Sequence, residues 1–392
     1  MQSDLRVGLL IERTRAFGRE LCEGIITYAQ DRAIELRFLR PKDLSRRFLA
    51  EFDGFIARVT DETLADRLGS TGKPVVDVYY QRPHDGFTIV KTRHESVGHL
   101  AAQHFLDRRF TNFAYSPYGG GRTSLYCRLA YTRWLKNAGH TVDVYEGSPE
   151  PNYAFDHKVI IDEDFSPPPD GRKLVRWLRK LPKPVAVFCP SDLCAWQLIG
   201  LCHDAGLRVP QDVAVLGLDN DLLLCGSARP MLSSIDPNTR EIGRVAIEEL
   251  VREVREGRPV TPRILQVEPT GVVTRASTEI YPLNPPWLSD ALVYIQRNAR
   301  NGISAQDIFA QLGKSHTAVS RAFRQVLDTT VQNEIARTRL AEAQRLLKTT
   351  ALSVTEIAKR TGFASTTYFL QSFAARHHVS PGVWRVSVRS PR

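Results

Sequence analysis

Near the C-terminal end, Thr317, Ser320 and Arg321 fall at i, i+3 and i+4, so a helix carries all three on one face. An arginine there can donate two parallel N–H groups to O6 and N7 of a guanine, which makes Arg321 the base-reading candidate. Ser315 and Arg324 beside them suit phosphate oxygens, contacts that hold register without reading sequence. Thr366, Thr367 and Gln371 occupy the matching face of a later stretch. A different chemistry is spelled out upstream, where strand-like runs end in polar or aromatic residues. Arg15 and Phe17 follow "RVGLLI", Ser191 and Asp192 follow "VAVFCP", and Asp219 ends "VAVLGLD". A carboxylate in such a place accepts hydrogen bonds from a polyhydroxy ligand, and Phe17 can cover an apolar ring face.

The elements that must position these residues follow from hydrophobic periodicity. Apolar β-runs are predicted at 6–11, 53–59, 74–80, 88–92, 112–117, 141–145, 185–190, 213–219 and 264–267. They alternate with helical patterns at 17–30, 94–107, 122–138, 171–180, 192–205 and 237–255. Short strands buried on both faces and alternating with helices predict parallel α/β sheets, and their number suits two lobes. Prolines 282, 285 and 286 break both periods and mark a linker over 278–287. Residues 288–392 show only helices. There, 303–327 can be laid over 352–376 with Gly313 against Gly362, each copy a short helix, a glycine turn and a second helix. One long helix over 331–350 joins them, giving an all-α double helix-turn-helix domain.

Charge divides the chain at the same place. The net charge is +10, and residues 288–392 hold 15 Lys+Arg against 6 Asp+Glu, so nearly all the excess lies in the last quarter. A neutral body with a basic tail points to a polyanion partner for the tail. With 42% hydrophobic and 24% charged residues the chain is globular, and no apolar run reaches membrane-spanning length. The opening "MQSDLRVGLLIERTR" is not a signal peptide pattern, and the six cysteines form no CxxC pair, so reduced thiols in the cytoplasm are expected. No metal, cofactor or catalytic residue is expected. "GGGR" at 119–122 lacks the Lys-Ser/Thr end of a phosphate loop, and GxGxxG, GxSxG and HExxH are missing. His94, His99 and His104 turn by about 140° from one to the next and share no helix face.

The tail, with "RLAEAQRLL", "TEIAKRTGF", "YF" and "VSPGVWR", resembles the DNA-binding domain of AraC/XylS regulators. The body, with "VAVFCPSD", "VPQDVAVLGLDN" and "IDPNTREIGRVAIEEL", resembles the periplasmic-binding-protein-like effector domain of LacI/GalR regulators. The resemblance implies an effector domain over 1–277, with a xylose-like monosaccharide between its lobes, and a DNA-binding domain over 288–392. It makes Asp219 the strongest effector candidate and adds Arg128, although the usual arginine slot two residues earlier holds Tyr126. Ser191 stands where an Asn is usual. In the second helix-turn-helix, Gln371 and Ala374 replace usual basic residues, and Phe309 replaces a small one in the first. The expected partners are double-stranded DNA, a small sugar, a second copy of the chain and, for an activator, RNA polymerase; no membrane is expected. A repressor of the same architecture is the alternative, ahead of a sugar-binding or sugar-processing α/β protein.

Overall fold

The computed structural model describes residues 5–40, 44–80, 86–117, 122–147, 171–257 and 262–389. It divides after Thr278 into two compact units. The first runs β1 (Leu5–Leu10), α1 (Ala16–Ala29), β2 (Ile34–Phe38), α2 (Arg46–Leu49), β3 (Gly54–Ala57), α3 (Glu62–Gly69), β4 (Val75–Asp77), β5 (Thr88–Thr92) and α4 (His94–Asp107). It continues through β6 (Phe113–Tyr115), α5 (Arg122–Asn137), β7 (Val142–Val144), α6 (Gly171–Lys180), β8 (Val185–Phe188), α7 (Asp192–Asp204) and β9 (Val213–Leu218). It ends with α8 (Leu222–Ser227), β10 (Ser233–Asp236), α9 (Thr239–Glu256), β11 (Ile264–Val267) and β12 (Gly271–Val273).

These strands make two six-stranded sheets, ordered β11-β5-β4-β3-β1-β2 and β12-β10-β9-β8-β6-β7. All neighbours are parallel except β12, which runs antiparallel to β10. The chain crosses between lobes three times, after β5, β10 and β11. The predicted two-sided burial is seen in β1: Val7 and Leu9 pack with α1 and α9, while Leu10 packs with Leu49, Leu64 and Leu68 on the other face. Helices α1 and α9 touch backbone to backbone, because a Cβ on Gly24 would lie 1.9 Å from the Arg240 carbonyl and one on Gly243 2.1 Å from that of Leu21. Three strands carried no usable apolar pattern. β2 ("IELRF") is an edge strand without one buried residue, and β12 ("GVV") is half exposed. β10 ("SSID") buries two serines beside Ile235, and Ser233 Oγ is satisfied by Thr278 Oγ1 at 2.7 Å.

The second unit is helical: α10 (Trp287–Asn298), α11 (Ala305–Leu312), α12 (His316–Leu327), α13 (Val331–Thr349), α14 (Val354–Arg360), α15 (Thr366–His377) and α16 (Pro381–Arg389). Its helix starts are written locally. Ser304 with Asp307 and Ser353 with Glu356 form capping boxes, and Ser315 and Ser365 cap α12 and α15. One core gathers Leu288, Ile308, Val319, Phe323 and Ile335; a second gathers Leu347, Ile357, Phe369 and Phe373. The long α13 serves both, with Arg339 donating to the carbonyls of Ala299 and Ile303 and lying 5.9 Å from the Phe363 ring. The stretch expected as a linker is partly folded: Tyr281 is buried in the first of these cores, and its N–H donates to Ser289 Oγ.

Candidate functional site

In parallel sheets the carboxyl ends of the strands and the helix starts that follow them lie on one side, so the two lobes each offer such an edge. From the first lobe come Glu12, Arg15 and Phe17 after β1, Arg58 after β3, and Tyr79 and Tyr80 after β4. Glu12 and Arg58 form a nearly buried ion pair, their side chains each 10% exposed. The Arg58 guanidinium lies 4.3 Å from the Tyr79 ring and 5.1 Å from that of Phe17. Burial works against its charge, while Glu12, Tyr79 and Asp219 carry its pKa above the ordinary value. Beneath it Asp77 accepts from the N–H groups of Val59, Tyr79 and Tyr80; burial pushes its carboxyl up to about 6 despite these bonds.

The second lobe presents Asp219 on a strained turn. Asp219 and Asn220 have φ of 115° and 52°, uncommon for side-chain-bearing residues and sustained only where neighbours fix the backbone. Three successive N–H groups are fixed here: Asp219 donates to the Ile235 carbonyl, Asn220 to Ser234 Oγ, and Asp221 to Asp192 Oδ2 at 2.7 Å. Asp192 is buried and holds this turn rather than lining open space. Ser191 caps α7, its Oγ accepting from the Cys194 N–H. Asp221 caps α8 and also accepts from the Ala16 N–H at 3.2 Å, a hydrogen bond from one lobe to the other. Burial, and then the Asp192 charge, hold the Asp219 carboxyl well above its usual range, with Arg15 and Arg58 acting in the opposite direction.

Arg15, Phe17, Asp192 and Asp219, with the Arg58 that sequence reasoning passed over, are thus one electrostatic neighbourhood. Arg128 is half-buried on α5, and no hydrogen bond or ion pair ties it to them among the described residues. Tyr126 instead stacks between Tyr80 and His94, at 6.2 Å and 5.9 Å. His94, His99 and His104 have separate surroundings: Tyr126, Trp134, and Thr278 with Arg108. No metal-holding group occurs among the described residues, no described helix is long and apolar enough to cross a membrane, and all six cysteines are free thiols buried in the protein. Of "GGGR", only Arg122 lies within the described residues.

On α12, Val319 and Phe323 are fully buried, whereas Thr317, Arg321 and Arg324 are exposed and Ser320 is half-buried. Among the described residues Arg321 and Arg324 make no hydrogen bond or ion pair, unlike Arg337, Arg339 and Arg345 on the neighbouring α13. Ser315 is exposed as the N-cap. On α15, Phe369 and Phe373 are buried, Thr367 and Gln371 are exposed, and Thr366 is half-buried. Tyr368, grouped with the apolar run in sequence, is 47% exposed beside Thr367. Neither helix carries an acidic residue, so nothing on them repels a phosphate backbone. Phe309 meets the His316 ring edge-on at 4.4 Å, which accommodates a large side chain where the two helices meet.

Residues 102–278 match the periplasmic binding protein-like domain, and residues 308–387 match a helix-turn-helix domain. The xylose operon regulatory protein of Haemophilus influenzae is 25% identical over 97% of this chain and 98% of its own length. Its Escherichia coli counterpart is equally similar, over 97% and 96%. The chain joins a periplasmic-binding-protein-like domain to a helix-turn-helix domain. It is a DNA-binding transcription regulator. The fold of the regulator matches that of a xylose-binding transcription activator over the full length of both chains, with a TM-score of 0.60 and 24% identity. Its first unit matches a ribose-bound LacI-family regulator of Enterococcus faecium, with a TM-score of 0.55 and 18% identity over 71% of the chain.

Sequence reasoning did not reach Glu12, Arg58, Tyr79 or Tyr80 of the regulator. The signal was present in "LLIERTR" and "GFIARV": the rule that selected Arg15 and Asp219 at strand ends applies equally after β3 and β4.

Proposed function

We propose that the regulator is a transcription activator switched by a monosaccharide of xylose size bound between the two lobes. The observation that supports this best is the convergence of Asp219, Arg15, Phe17 and Arg58 at the strand ends, in a chain that also carries exposed, ion-pair-free arginines on a helix-turn-helix. Asp219 accepts sugar hydroxyls, Phe17 and Tyr79 offer ring faces, and the Ala16–Asp221 bond is one that lobe closure makes. A ligand shifts the equilibrium between lobe arrangements only by its differential affinity for them, and about 100-fold is worth roughly 2.7 kcal/mol. Two copies joined through the first unit would present paired half-sites to DNA.

A thermal-shift series on the full chain with pentoses, hexoses and sugar phosphates tests this, since a ligand of the native state raises the melting temperature. One sugar is expected to stabilise, and Asp219→Ala to abolish the shift. A shift that survives Asp219→Ala would move the ligand elsewhere. On the DNA side, Thr317, Ser320 and Arg321 face base edges, Ser315 and Arg324 hold phosphates, and Thr366, Thr367 and Gln371 form the weaker second contact. Arg321→Ala should weaken operator binding by about 1–3 kcal/mol and relax the preference at one base pair. Uniform weakening across all sequences in a binding-site selection would make Arg321 a phosphate contact instead.

A further inference from the structure

Asp219 is tied into the molecule through the residue that follows it. β10 carries two adjacent buried serines, Ser233 and Ser234, and successive side chains leave a strand on opposite faces. Ser234 Oγ accepts the Asn220 N–H at 2.9 Å, on the turn that presents Asp219. Ser233 Oγ accepts the Arg275 N–H at 2.8 Å, where the chain leaves β12 for the end of the first unit. The Arg275 side chain joins these two sides. Its Nη2 donates to Asn220 Oδ1 at 2.7 Å and its Nη1 to the Leu232 carbonyl at 2.8 Å. Three residues on, the buried Thr278 ends the first unit. Its hydroxyl meets Ser233 Oγ at 2.7 Å and His104 Nε2 at 2.9 Å, and its carbonyl accepts from Arg108 Nε at 3.1 Å. Glu279, the first residue of the second unit, pairs with Arg297 of α10 at 2.5 Å. These two anchors are consecutive in sequence, with no slack between them.

The φ of 115° at Asp219 and 52° at Asn220 mark a strained backbone that persists only while its surroundings fix it. A sugar that recruits the Asp219 carboxylate shifts that balance by its differential affinity for the backbone states. Asn220 moves with its neighbour, and Arg275 must then follow or give up its bond to Oδ1. We infer that Asn220 and Arg275 are the positioning residues that couple effector binding at Asp219 to DNA affinity, by passing a shift of the 219–220 turn to residues 275–278 at the end of the first unit. This rests on the sugar-switch reading and adds the residues through which the switch acts. It also gives the paired serines of β10 a role. Valine would suit a buried strand as well at either position, but it would hold neither the turn nor the chain end.

The coupling is read on the full chain as the ratio of its Kd for a DNA duplex, recovered by binding-site selection, without and with saturating D-xylose. Linkage requires the same ratio for D-xylose without and with the duplex, which checks the measurement. In the wild type D-xylose should tighten DNA binding about tenfold. Asn220→Gly removes Oδ1 while keeping the left-handed backbone open, and Arg275→Met removes the donor. In both, the ratio should fall to about twofold or less while D-xylose affinity stays within about threefold of wild type. Asn220→Asp, whose carboxylate still accepts from Arg275, should retain the switch. Should Arg275→Met fold poorly, Asn220→Gly and Asn220→Asp carry the comparison. Coupling unchanged in Asn220→Gly, or D-xylose binding lost together with it in both variants, overturns the inference and leaves the sugar switch standing. Wild type that binds D-xylose with no change in DNA affinity, or that binds nothing in the thermal-shift series, overturns both.

Discussion

Replacing Glu12 by alanine is expected to destabilise the first unit by about 3–5 kcal/mol, the range for breaking a buried ion pair from one side. The Glu12 and Arg58 side chains are each 10% exposed, so water can do little to replace the lost carboxylate. Arg58 cannot leave easily, because its backbone N–H donates to the Leu10 carbonyl in the strand ladder and its side chain lies against Phe17 and Tyr79. Glu12→Gln should cost less, since an amide oxygen still accepts the hydrogen bond without the charge. Hydrogen exchange of β1 and β3 amides reads this unit separately, which matters because a two-unit chain has no single unfolding midpoint. Equal protection in Glu12→Ala and wild type would mean that the pair contributes nothing net. The same substitution should weaken effector binding, because Phe17 and Tyr79 are positioned partly by the guanidinium between them.

The second large effect is expected at Gly362. Its φ is 79°, and a Cβ there would lie 2.4 Å from the Ala299 carbonyl oxygen and 2.8 Å from that of Arg300. The left-handed backbone alone costs a non-glycine residue about 1–2 kcal/mol. The close approach adds to this, and the obstacle is backbone already fixed by Arg339, whose Nε donates to the Ala299 carbonyl at 2.9 Å. Gly313, its counterpart in the first helix-turn-helix, has a φ of 58° with nothing within 4 Å of the Cβ position. Gly313→Ala should therefore show only the backbone cost, and Gly362→Ala at least twice as much, measured by denaturant unfolding of the second unit through its hydrogen exchange. Equal costs would remove the close approach from the account. Loss of DNA binding should follow the same order, because α15 is held in place through the turn at Gly362.

These cases separate what sequence determines from what packing decides. The α/β body, the helical tail and the paired helix-turn-helix units were legible because each rests on local rules: period 2 or 3.6, serine caps, glycine turns and prolines. The inward turn of Val319 and Phe323, and hence the outward face holding Arg321, follows from the same periodicity. Asp219 was legible as a strand-end carboxylate. The role of Asp192 was not, because its partner is the Asp221 N–H, twenty-nine residues on and reached only across two parallel strands. β10 escaped notice because two of its three buried positions are serines, and Ser233 is satisfied from Ser277 and Thr278, a compensation invisible until the end of the first unit returns to it. Gly313 and Gly362 look alike in sequence, and only the passage of the turn after α10, at Ala299 and Arg300, against one of them makes them different. Sequence by itself therefore determined most of the elements, their order and the faces they expose. Tertiary structure alone decided which charges meet, Glu12 with Arg58 among them, because electrostatic and steric interactions act through distance in space, and residues far apart along a chain acquire that distance only when sheets and helices pack.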